Sequence, residues 1–122
     1  MDDPLRHAIE LFNDGRFSEF QDALEAFTST TRAHSERSFS TVLKNLAEAL
    51  IQLGDGDLAE TEQMVTAALR KLDDFLPRYR GINVVALRDE CRTLLLEVRE
   101  AREGRRSEHE PPRAPRLRMV PH

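Results

Sequence analysis

Phe39, Val42, Leu43, Leu46, Leu50 and Leu53 fall at the three- and four-residue intervals of one helical face, and Gly54-Asp55-Gly56 follows at once. A stripe of that length is incompatible with a strand, whose side chains change faces at every residue. It predicts an amphipathic helix that must bury its face against other helices, so it sets the class of the whole chain.

Four weaker stripes flank it. Leu5, Ala8, Ile9 and Phe12 predict a first helix, opened by Asp3 as N-cap with Pro4 behind it and closed by Asn13-Asp14-Gly15. Phe20, Leu24 and Phe27 predict a second, with Ser18-Glu19-Phe20-Gln21 fitting a capping box. Thr28 to Arg37, rich in Ser and Thr, reads as a loop. Asp57-Leu58-Ala59-Glu60 is another capping box; it starts a fourth helix carrying Leu58, Val65, Ala68, Leu72 and Phe75 up to Pro77. Val84, Leu87, Cys91, Leu94, Leu95 and Val98 line a fifth, which starts near Asn83 and ends at Gly104.

No alternating segment competes with this reading. The expected fold is all-α, a compact up-and-down bundle of about five helices. Gly15-x-Phe17-x-Glu19 and Gly56-x-Leu58-x-Glu60 echo one another, as two tetratricopeptide-like hairpins would; shared helix-start grammar explains the echo equally simply.

The chain has 122 residues, enough for one modest core. Charge divides it in two. Residues 1–104 carry a net −7 and read as the helical domain, whereas residues 105–122 carry a net +3. This Arg- and Pro-rich tail has little to bury and is expected to be disordered or extended. An acidic body repels nucleic acid and anionic lipid, so only the tail offers a route to either. Arg113, Arg116 and Arg118 could touch phosphates or lie on the domain's own acidic face. Pro112-Arg113-Ala114-Pro115 fits P-x-x-P, a pattern common in proline-rich tails.

Cys91 is the single cysteine, and no apolar run approaches the ~20 residues that span a bilayer. The expected location is the cytoplasm, with no membrane partner.

The segment from Leu11 to about Asn83 resembles the small helical family catalogued as Domain of Unknown Function 309. The resemblance is carried by Phe12-Asn13-x-Gly15-x-Phe17-x-Glu19 with Leu24 and Glu25, and by the stretch Val42 to Leu50. Gly56-Asp57, Lys71-Leu72-Asp73-Asp74-Phe75-Leu76-Pro77 and Gly81-Ile82-Asn83-Val84 continue it in register. It implies a helical fold and no established activity. Gln21 and Gln52 stand where that family has histidines, and Thr28 where it has a tryptophan, so the chain would be a divergent member.

Gln21 and Glu25 share a face of the second helix, and Gln52 lies near the end of the third. If the three converge, their amides and carboxylate can hold a small polar ligand. They make a poor acid–base site, because Gln does not titrate and a lone Glu needs burial or a partner. Polar residues beside a core more commonly satisfy one another. His7, His34, His109 and His122 are scattered without metal-ligand spacing, so no metal and no cofactor are expected. Glu97, Glu100 and Glu103 alternate with Arg99 and Arg102 as on a solvated charged face. Cys91 sits on the inward register, as a core thiol does.

The leading expectation is a non-enzymatic module that binds a protein partner or a second copy. The runner-up is a small-molecule-binding or weakly hydrolytic protein acting through Gln21, Glu25 and Gln52. Nucleic-acid association through the tail comes third.

Overall fold

In the computed structural model, residues 4–29, 33–105 and 112–120 are described. The five expected helices form: α1 (Pro4–Asn13), α2 (Phe17–Thr28), α3 (His34–Gly54), α4 (Leu58–Leu72) and α5 (Val84–Arg102). The result is a compact all-α bundle in which each helix packs on the next in chain order. The α3 stripe is its centre, with Phe39, Val42, Leu43, Leu46 and Leu50 all buried. Phe12 seals α1 against α2, edge-on to Phe17 and Phe20 at centroid distances of 5.3 and 5.0 Å. Each such fully buried side chain contributes about 1.5–3 kcal/mol.

The echoed segments are the same helix ending used twice. After α1, the Gly15 N–H donates to the Phe12 carbonyl and the Arg16 N–H to that of Leu11. After α3, Gly56 and Asp57 donate to Leu53 and Gln52 in the same pattern. Both glycines take positive φ, 79° and 84°, which lets two orphan carbonyls of the last turn find donors.

The helix starts differ. Asp57 accepts the Glu60 N–H at 3.1 Å and Asn83 accepts the Ala86 N–H at 2.9 Å, as N-caps do. The capping box expected at Ser18 does not form. The helix begins one residue earlier, its N-cap is Arg16, whose side chain pairs with Glu19 and caps no backbone N–H, and Gln21 is engaged elsewhere. The cap expected at Asp3 lies outside the described residues.

Two further expectations change. Helix α3 starts at His34, inside the expected Thr28–Arg37 loop, because its first turn has partners. The Tyr79 hydroxyl donates to Ser35 Oγ at 2.9 Å, and Arg80 pairs with Glu36 at 3.1 Å. Those partners sit on a small hairpin absent from the sequence reading, β1 (Arg78–Tyr79) paired antiparallel with β2 (Ile82–Asn83). Strands of two residues are too short to show alternation. The turn places Arg80 (φ 53°) and Gly81 (φ 81°) in the left-handed region, the signature of the tightest hairpins. Arg80 also lies over the Phe27 ring at 5.6 Å, and Phe39, Phe75 and Tyr79 form a mutual aromatic cluster beside it.

The largest departure concerns the tail. Residues 112–120 are extended, as one branch of the expectation held, but they lie against the body. Pro115 and Leu117 are buried, Leu117 to 2% exposure, within the same core as the helices. Met119 forms an isolated antiparallel bridge with Ile82 at the edge of the two-stranded hairpin. The expected 105–122 boundary therefore does not separate residues 112–120 from the domain. The remaining part of that expectation, 106–111 and 121–122, lies outside the described residues.

Candidate functional site

Two of the three expected site residues meet, on a fourth that the sequence reading left out. Gln21 of α2 is half-buried, and its Nε2 donates across the helix interface to the Lys44 carbonyl and to Glu48 Oε2, both at 3.1 Å. Gln52, one turn beyond Glu48 on α3, donates to its other oxygen at 3.2 Å. Glu48 thus accepts from both amides. Glu25 stands outside this arrangement. Its side chain is 77% exposed and, among the described residues, pairs with Lys44 Nζ at 3.7 Å.

The chemistry of the cluster follows from its members. Glu48 has both carboxylate oxygens engaged by amide donors, which is how a half-buried carboxylate is satisfied. Neither Gln titrates, and the partners they have among the described residues are the Lys44 carbonyl and the Glu48 carboxylate. The arrangement is a brace across the α2–α3 interface. Spacing along one helix could show that Glu48 and Gln52 are neighbours; only the crossing of two helices brings Gln21 to them.

The other candidates resolve into packing. Cys91 is fully buried, and burial first, then the neighbouring Glu90 carboxylate, pushes its thiol up to about 12. Such a thiol stays protonated and inert at neutral pH. Arg88, the basic group within sequence reach of Cys91, lies instead 3.8 Å from the carboxylates of Asp73 and Asp89. On the charged face of α5, Arg99 and Arg102 pair with Glu62 at 3.5 and 3.0 Å, so that face ties α5 to α4. Among the described residues no group of three or more His, Cys, Asp or Glu could hold a metal ion. No helix among them is long and apolar enough to cross a membrane.

Two surface features remain. A cleft of about 590 Å³ runs between α3 and α4. Val42, Met64, Ala67, Ala68 and Phe75 supply its apolar lining, with Ala67 on the exposed rim; His34, Ser38, Thr41, Asn45, Lys71 and Asp74 make the rest largely polar. Gln21, Glu25 and Gln52 do not line it.

The second is the seat of the C-terminal segment. Asn13, at the end of α1, uses both halves of its amide on one residue of the tail: Nδ2 donates to the Leu117 carbonyl at 2.9 Å, and Oδ1 accepts the Leu117 N–H at 2.8 Å. Asn83 N–H donates to the Arg118 carbonyl at 2.8 Å, and Val120 N–H to that of Gly81 at 2.6 Å. Glu90 of α5 accepts from Arg118 Nε at 3.2 Å. Arg118 therefore docks on the acidic face of the domain, the alternative that competed with phosphate contact. The positive φ of Gly81 is what calls for glycine here; a β-carbon would also stand 2.8 Å from the Met119 methyl, the free end of an exposed side chain that can turn aside. The signal that could have exposed this seat is Arg116-Leu117-Arg118-Met119, a period-two alternation within an otherwise polar tail.

No protein-family model, curated protein or solved structure matches this chain.

Proposed function

We propose that this chain is a non-enzymatic, cytoplasmic interaction module that binds a segment of a partner protein in the α3–α4 cleft. The observation that carries the reading is the cleft itself, with an apolar lining edged by hydrogen-bonding side chains. His34 to Asn45 covers about 16 Å of helix axis at 1.5 Å per residue, room for three turns of a partner helix. Met64 suits such a surface, because its flexible thioether adapts to the shape of a ligand. The resemblance to Domain of Unknown Function 309 belongs to the same proposal. Its support is the register of Gly15, Gly56-Asp57 and Gly81-Ile82-Asn83, which here end helices, cap one and turn a hairpin.

The runner-up, ligand binding or weak hydrolysis at Gln21, Glu25 and Gln52, has less behind it. It needs three convergent groups, whereas Gln21 and Gln52 meet at Glu48 and Glu25 pairs with Lys44 at the surface.

The test is affinity capture on the tagged full-length chain, with Ala67→Arg filling the cleft from its exposed rim. A specific partner should be captured by the unaltered chain and by Glu25→Ala, and lost from Ala67→Arg while that variant keeps its helical circular dichroism. Equal capture by all three would remove the cleft from the reading.

A further inference from the structure

The seat of the C-terminal segment has the chemistry of a peptide-recognition site. Asn13 reads one residue, Leu117, through its N–H and C=O, contacts that any extended residue can make. The hairpin edge adds two main-chain bonds, from Asn83 and to Gly81, in the manner of strand addition to a sheet. Selectivity comes from the side chains the body encloses, Pro115 and Leu117, and from the Glu90 carboxylate that receives Arg118. Arg116, Arg118 and Met119 stay exposed, so the segment is held by few anchors.

We propose that the corner formed by the end of α1, the hairpin edge and α5 is a strand dock for a partner protein. It takes an extended segment with a leucine between two arginines, and the chain's own residues 112–120 occupy it until displaced. The acidic body favours such a basic segment, since residues 1–104 carry a net −7. This dock is separate from the α3–α4 cleft, and either can fail without the other.

The experiment uses the full-length chain. Leu117→Asp prevents its own segment from seating, and a fluorescein-labelled peptide of the sequence of residues 112–120 is the probe, followed by anisotropy. The Leu117→Asp chain should bind the probe at least about tenfold tighter than the unaltered chain, whose tethered segment competes at high effective concentration. Asn13→Ala added to Leu117→Asp should weaken probe binding again by about tenfold, the scale of one lost pair of hydrogen bonds. A dimer of the unaltered chain at high concentration that Leu117→Asp abolishes would support the dock and name a second copy as its partner. Three results overturn the proposal: no probe binding by a Leu117→Asp chain that keeps its helical signal, equal binding by altered and unaltered chains, or loss of helix in Leu117→Asp. The last would make the segment a structural strut.

Discussion

Side-chain amides organise both the α2–α3 cluster and the corner beneath the C-terminal segment, but they do so with different partners. Gln21 donates to a backbone carbonyl and to a carboxylate. Asn13 donates and accepts at once, facing the N–H and C=O of Leu117. A carboxylate that receives one amide donor on each oxygen is a polar group satisfied from within the fold. An amide that pairs with both the N–H and the C=O of a single residue is suited to an extended chain. Gln21 thus joins α2 to Glu48 of α3, which Gln52 also engages, whereas Asn13 joins α1 to the backbone of the C-terminal segment.

The sharpest way to break this contrast is Leu117→Ala. Burying leucine to 2% exposure and then truncating it removes the main apolar anchor of the segment. The expected cost is about 2–3 kcal/mol, the low end for buried leucines, because the segment can detach and so caps the loss at its own docking energy. Chemical denaturation should show a lower midpoint, while circular dichroism without denaturant keeps the helical content. A loss of 5 kcal/mol or so, with helix melting, would instead place the segment among the elements the fold cannot spare.

How much of this was legible beforehand depends on what each residue's role rests on. The helices rest on spacing within one segment, and Phe39 to Leu53 announced α3 without any partner in view. Asp57 and Asn83 likewise act on residues three positions away. Ser18 misled because Ser18-Glu19-Phe20-Gln21 satisfies a local rule, while Gln21 finds a stronger tertiary partner in Lys44 and Glu48. Leu117 was hidden for a related reason. Its surroundings are charged and proline-rich, and its burial depends on Asn13, more than a hundred positions away. Local grammar is readable; contacts made by crossing elements are not.

A middle-sized test sharpens the brace. Glu48→Ala leaves the Gln21 and Gln52 amides without their shared acceptor, but both are half-buried and water can replace it. The expected loss is about 1 kcal/mol, near the average for a net hydrogen bond. Glu48→Gln, which retains an acceptor oxygen, should recover much of it. A small-molecule site would behave differently: thermal-shift screening would find ligands for the unaltered chain that Glu48→Ala no longer binds, with stability otherwise unchanged.

The smallest effect is expected at the one acidic residue that sequence singled out. Glu25 is 77% exposed and 3.7 Å from a lysine, a loosely held surface pair. Water screens such pairs and two long side chains lose freedom in forming them, so Glu25→Ala should change stability by less than about 0.5 kcal/mol. Arg118→Ala removes a pair of similar exposure, 54% on the arginine side, and by the same reasoning should also cost less than about 0.5 kcal/mol of global stability. The two substitutions nevertheless separate the two regions. Glu25→Ala should leave the hydrogen exchange of the Leu117 and Val120 amides untouched. Arg118→Ala should accelerate it, because the bond it removes helps to hold the segment against α5. Acceleration by Glu25→Ala would mean that the brace and the dock are coupled through α2 and α1, and the contrast between them would have to be given up.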